Sequence, residues 1–408
     1  MKVLLLSPGF PADMPQFTKA LARVGATVLG VGDQATEALE PSLADAMTAY
    51  LPVRELWNEE STIDAVTNWL GKHRVEVDRV ECLWEPGVVL AAKLREKLGV
   101  PGISVEQAHA FRDKETMKSV LDAAGIRTPH HYRARTKDEA REAAEKIGFP
   151  VIVKPIDGAG SADTYTARSW EELDEALALT THVSQISVEE FIEGEEYTYD
   201  TISSGGRILY ENVAWYRPKP LVTRLNPWIS QQAICLRELD RPEIACGVEL
   251  GRRVLSALHY DTGFAHMEWF RKPNGEAVFG EIGARSPGGR LTHGMNLSCD
   301  FDVFLAWAEA LVTGHIHQDT RKRFNASMIF KRAQGPGDRI QRIDGLQRLM
   351  AECGEHIPVV ELVPVGSPRK DWRKVVTGDG WMVVRHHDLD TLLHLANRCS
   401  SEVRIVAG

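Results

Sequence analysis

The chain has 408 residues, 43% hydrophobic and 26% charged, which gives room for two or three packed domains in an ordinary soluble globular composition. Its net charge of −9 argues against a nucleic-acid-binding surface, and no stretch approaches the roughly 20 apolar residues of a membrane span. The six cysteines, at 82, 235, 246, 299, 353 and 399, form no CxxC pair, so neither a zinc site nor a disulfide framework is expected. The apolar start MKVLLLSPGF is too short for a signal peptide, and a reduced, cytoplasmic setting is the expectation.

Residues 1–111 alternate short apolar runs with helical periodicity. Strands are predicted at 2–6, 27–31 and 80–83, and helices at 16–24, closed by Gly25, and at 88–97. This βα alternation predicts a small open parallel sheet, whose ligands bind beyond the carboxyl ends of its strands. Ser7-Pro8-Gly9-Phe10 and Trp84-Glu85-Pro86-Gly87 stand at two such ends. They read first as turn chemistry and second as the lining of a cleft. A second unit, 112–183, carries a helix at 113–124, a strand at 151–154 and a helix at 170–179. A third, 184–320, has strands at 186–191, 197–202 and 207–213, then a helix at 243–258, a hairpin, and a helix at 303–313. The last stretch, 321–408, has weak signals and reads as a small α+β appendage.

Four segments carry candidate chemistry. In HMEWFRKPNGEAVFGEIGAR, residues 266–285, Asn274-Gly275 predicts a two-residue hairpin loop. Phe270 then faces Phe279, and Glu268 faces Glu281. Directly opposed side chains have Cβ atoms roughly 4.5–5.5 Å apart, where like charges repel. A hard divalent cation between them, shared with phosphate oxygens, turns that penalty into a gain. The alternative is a solvated hairpin with its register slipped by one residue.

In PVIVKPIDGAGSADTY, residues 150–165, a β-branched strand delivers Lys154 to a loop containing Gly158, Gly160 and Ser161. Glycines let backbone N–H groups approach phosphate, and the lysine adds charge. Neither the dinucleotide fingerprint nor the Walker loop fits the spacing, and an ordinary surface loop is the alternative. In FRDKETMK, residues 111–118, Lys114 and Lys118 share a helix face, which by itself reads as solvated. In SVEEFIEGEEYTYD, residues 187–200, Glu189 and Glu196 flank the apolar Phe191 and Ile192. That combination suits a purine slot and a ribose acceptor, or else an exposed strand edge.

In this order and spacing, over roughly residues 1–320, the four segments resemble the ATP-grasp superfamily. The resemblance implies an α/β and α+β fold, in which an open parallel domain precedes the ATP-grasp subdomains. It also implies roles. Lys114 and Lys154 contact phosphate, under a closing loop that holds Gly158, Gly160 and Ser161. Glu189 lies near the adenine amino group, with the backbone of Glu190, Phe191 and Ile192 on the ring edge, and Glu196 takes the ribose. Glu268 and Glu281 carry Mg²⁺, or Mn²⁺ in its place.

The H-x-E…E-x-x-A-R pattern, residues 266–285, is similar to that of bacterial L-amino-acid ligases, which join two free amino acids. In those enzymes the arginine matching Arg285 faces the reacting carboxyl group; a structural ion pair with a glutamate is its other reading. Gly283 stands where many relatives carry a metal-binding asparagine. Gly289 stands where some carry a bulky aromatic residue, leaving room for a larger substrate. His266 and His293 are candidates for substrate contact or proton transfer, or are structural. The implied activity is ATP-dependent amide formation between a small-molecule carboxylate and amine through an acyl phosphate. An ATP-grasp carboxylase or purine-pathway ligase is the alternative enzyme, and a nucleotide-dependent regulatory protein the alternative from another class. Neither nucleic acid nor membrane is an expected partner, and a homodimer is compatible with the reading.

Overall fold

The computed structural model describes residues 1–156, 163–372, 375 and 377–408. Strands β1 (Lys2–Leu6), β2 (Thr27–Gly32), β3 (Ala49–Pro52) and β4 (Arg79–Glu81) form a parallel sheet in the order β3-β2-β1-β4. Val3 through Leu6 are wholly buried, as continuous apolar strands are when helices cover both faces. The helices Met14–Arg23 and Val88–Leu98 begin and end within two residues of the expected positions.

A second sheet is antiparallel. It contains β5 (His131–Ala134), β6 (Val151–Pro155), β7 (Tyr165–Ala167) and β8 (Ile186–Glu190), in the order β5-β8-β6-β7. Strand β8, grouped by the sequence reading with the unit that follows, therefore closes this smaller sheet. The chain then crosses through residues 191–194 into the largest one.

That sheet collects β9 (Glu195–Ser204), β10 (Arg207–Asn212), β11 (Ala214–Arg217), β12 (Gln232–Cys235), β13 (Gly263–Arg271) and β14 (Ala277–Gly283). It continues into β15 (Asn325–Lys331), while β16 (Ile340–Asp344) stands apart; β17 (Val359–Leu362) and β18 (Gly380–His386) complete it. The order is β14-β13-β9-β11-β12-β15-β18-β17, with β10 on β9; β16 pairs instead with β19 (Arg404–Ala407). Residues 321–408 thus supply three strands of the central sheet, where weak signals had suggested an appendage. The reason is visible in β15, which is buried along its whole length. Its polar residues find partners inside: Asn325 donates to the carbonyls of His386 and His387, and Lys331 to those of Cys399 and Ser400. No alternation with solvent marks such a strand.

The hairpin of β13 and β14 does pair Glu268 with Glu281, by a different route from the one expected. Lys272 N–H donates to Glu276 O at 2.9 Å, leaving a three-residue loop with Gly275 at φ +88°. A type I turn closed by a left-handed glycine is a standard three-residue hairpin. Next to that loop, Phe270 faces Val278 and Trp269 faces Phe279, so the expected Phe270–Phe279 pair does not form. A bulge between Glu268 and Trp269 then restores the register. It falls at Gly280, where a Cβ would lie 2.9 Å from Glu268 O.

On the rear of this sheet, helix Pro242–Ala257 packs its glycines onto aromatic rings. A Cβ at Gly251 would sit 2.1 Å from Tyr199 Cδ1, and one at Gly247 would sit 2.0 Å from Trp269 Cζ2. Alanine at 251 gains about 1 kcal/mol in helix propensity but overpacks the core at about 1–3 kcal/mol. Gly251→Ala should therefore lower stability in urea denaturation. A stabilised variant would show that the helix can move off the sheet freely.

Candidate active site

Between the small and central sheets opens a cleft of about 1150 Å³, counting the solvent at its mouth. It is lined by Lys114, Lys154, Glu189–Ile192, Glu196, His266, Glu268, Glu281 and Arg285, so it gathers most of the residues proposed from sequence. Gly158, Gly160 and Ser161 lie outside the described residues.

The lysine-bearing side of the cleft is built around helix Lys114–Ala123. Asp113 caps it, accepting from Glu115 N and Thr116 N, and Arg133 grips the same carboxylate with both contacts at 2.9 Å. This fixes Lys114 at the first helical position, its Nζ 3.3 Å from Glu281 Oε1. Lys118, one turn on, is fully buried rather than solvated. It pairs with Glu189 Oε1, while Lys154 Nζ, from β6, reaches Glu189 Oε2 at 2.9 Å. Burial raises the Glu189 pKa, but Lys118 and Lys154 overcome it and hold the carboxyl well below its usual range. Glu189 is thus committed to two lysines.

Beyond it, Phe191 and Ile192 join Ile152, Pro129 and Leu221 in an apolar slot, and Lys219 Nζ lies 5.9 Å from the Phe191 ring centroid. The Glu190 side chain is held by Arg127, with two contacts at 2.9 Å, and by His130 N. Glu196 is buried on the cleft floor. Burial first, and then the charge of Glu268, push its pKa up to about 8.

His266, Glu268 and Phe270 on β13 stand directly opposite Asp200, Thr198 and Glu196 on β9. Asp200, absent from the sequence candidates, is fully buried and accepts from Thr198 Oγ1 at 2.8 Å and Asn212 Nδ2 at 2.9 Å. Its other oxygen lies 2.6 Å from His266 Nδ1. His266 Nε2 lies 3.8 Å from Glu268 Oε1. Burial lowers the His266 pKa, yet Asp200 and Glu268 carry it up to about 9. The period of two running Glu196, Thr198, Asp200 was the available signal for this residue.

Glu268 and Glu281 face each other across the hairpin and line the cleft together. Such a hard oxygen donor set suits Mg²⁺-class ions. Among the described residues no three His, Cys, Asp or Glu side chains form a ready metal cage, so an ion here would complete its shell with phosphate oxygens and water.

Arg285 lies just past this group. Its Nε pairs with Glu85, whose other oxygen is 2.5 Å from Arg112 Nη1. Glu85 follows the carboxyl end of β4 and lines the cleft, so both readings of its segment hold, as turn and as cleft wall. Burial opposes its charge, but Arg285 and Arg112 bring the pKa down to about 2. Arg285 is likewise both an ion-pair partner and a cleft-lining cation. A Cβ at Gly283 would lie 3.2 Å from Glu85 Oε2 and 3.4 Å from Arg285 Cγ, so this pair leaves little room for a side chain there.

Two candidates lie elsewhere. His293 Nε2 is 3.5 Å from Asp13 Oδ1, with its ring against Phe304 and Trp381. Gly289, at φ +59°, turns the chain into helix Leu291–Cys299 and does not line the cleft.

Residues 111–213 match a family model described as an ATP-grasp domain. The L-arginine-specific L-amino acid ligase of Bacillus subtilis is 27% identical over 222 residues, 53% of this chain and 53% of that one. The chain thus aligns with about half the length of this relative. In fold, an L-amino acid ligase from Bacillus licheniformis superposes with a TM-score of 0.79, covering 100% of this chain and 98% of that one at 21% identity. An N5-carboxyaminoimidazole ribonucleotide synthetase from Thermotoga maritima gives a TM-score of 0.72 at 17% identity, covering 100% and 99%.

The raised pKa values set a pH dependence. Glu196, near 8 when folded, and His266, near 9, both bind protons more tightly than in the unfolded chain. Stability contributed this way is complete below the unfolded pKa values and is lost as pH rises through the folded ones. Without divalent metal, thermal stability should fall between about pH 5 and pH 9. Glu196→Gln should flatten that slope while leaving the His266 part. An unchanged slope in melts across this range would mean that Glu196 ionises freely.

Proposed function

We propose that this chain, which carries an ATP-grasp domain within an ATP-grasp fold, joins a carboxylate to an amine using ATP. Amino acids are the proposed substrates. One observation carries the reading: Arg285, two residues past the end of β14, lines the same cleft as two lysines and the opposed Glu268–Glu281 pair. The likeness to the B. subtilis ligase supports the same chemistry.

Lys114 and Lys154 hold the phosphates, the apolar slot takes the purine, and Glu196 accepts from the ribose. Glu268 and Glu281 would hold Mg²⁺, which when bound would supply charge neutralisation for a transfer that depends chiefly on positioning and electrostatics. The substrate carboxylate attacks the γ-phosphorus, ADP leaves, and an acyl phosphate remains. The amine then attacks the acyl carbon. Arg285 stabilises the tetrahedral oxyanion, and phosphate departs. Its pairing with Glu85 presets the guanidinium, so it does not have to reorganise as charge develops. A purine-pathway ligase is the second reading, favoured by the likeness in fold to synthetases such as that of T. maritima.

ADP release should be measured over a panel of carboxylates and amines, singly and in pairs. Sustained release should require a matched pair; release driven by bicarbonate would favour the second reading. Arg285→Met should leave ATP binding nearly intact and slow amide formation roughly 10²–10³-fold. Collapse of ATP binding would instead make Arg285 a phosphate or structural residue.

A further inference from the structure

Lys118 is fully buried, and its ion-pair partner is Glu189. Burying an ammonium group is costly even when it is paired, yet Lys118 does not line the cleft, whose phosphate side is formed by Lys114 and Lys154. The clue is that Glu189 receives two lysines, one on each oxygen. Ser187 Oγ lies 2.9 Å from Glu189 Oε1 and also bonds Glu115, whose second oxygen is 2.7 Å from His131 Nδ1. The carboxylate is thereby held in place between its two cations.

We propose that Lys118 is a positioning residue for the nucleotide: it balances Glu189 so that Lys154 presents uncancelled positive charge to the phosphates. The inference rests on the ATP-dependent reading above. Two ammonium groups on one carboxylate leave one net positive charge, and the lysine able to express it is Lys154, which faces the cleft. Without Lys118, Glu189 and Lys154 form a neutral pair, and both carboxylate oxygens hold Lys154 back from a ligand. Removing the Glu189 charge as well should free Lys154 again. A merely structural Lys118 predicts no such recovery.

The test uses the full chain with Mg²⁺. ATP and adenosine affinities are measured by calorimetry for the wild type, Lys118→Met, Glu189→Gln and the double variant. Lys118→Met should weaken ATP roughly tenfold to a hundredfold, as losing a charge-assisted phosphate contact does, and change adenosine far less. The double variant should recover ATP affinity to within a few-fold of wild type. Lys118→Gln, which keeps a hydrogen-bond donor for Glu189, replaces Lys118→Met if that variant does not fold. Unchanged ATP affinity in the single variant, or a double variant as weak as the single, overturns the inference. A wild type that binds ATP no better than adenosine would instead overturn the nucleotide reading on which it rests.

Discussion

The antiparallel pairing of β9 with β13 is the constraint on which the rest of the site depends. Its register runs unbroken from Gly263 opposite Ser203 to Arg271 opposite Glu195. Alternation along both strands then sorts the residues. Glu196, Asp200, His266, Glu268 and Phe270 share the face toward the cleft, while Tyr197, Tyr199, Met267 and Trp269 go into the core behind. Further along the cleft-side face, Ile202 and Phe264 meet Phe17 and Trp307, which ties the first domain to the central sheet. A slip of one residue would exchange these sets, placing carboxylates in the core and aromatics in the cleft.

Much of this was legible because the relevant patterns are local. The helix Trp170–Leu179 and the helix Val303–Thr313 have the expected bounds, since caps and a 3.6-residue period both lie within the segment. The residues that escaped depend on partners far away in the chain. Lys118 reads as solvated until Glu189, 71 residues on, is folded beside it. Asp200 looks like any polar strand residue until β13 supplies His266. Glu85 reads as a turn residue first and cleft lining second, and its partner Arg285, 200 residues away, decides for the cleft.

Buried charge is concentrated where the chemistry is proposed, and three of these groups are held by opposing ones. Lys118 and Lys154 hold Glu189; Arg112 and Arg285 hold Glu85; Asp200 and Glu268 hold His266. Glu196 differs, since its strongest electrostatic neighbour, Glu268, has the same sign. Breaking a compensated buried pair is strongly unfavourable, whereas an uncompensated carboxylate invites a cation. The arrangement therefore separates a fixed electrostatic frame from the place where incoming charge is accommodated.

The bulge at Gly280 also bears on which turn this hairpin can adopt. A two-residue loop without a bulge and a three-residue loop with one both bring Glu268 opposite Glu281. Both use the same residues between the two carboxylates, so the bulge offsets the shift introduced by the longer loop before it reaches the pair. The tip is left free to take the turn its own residues favour, and the register that matters is kept by a glycine that contributes no side chain to it.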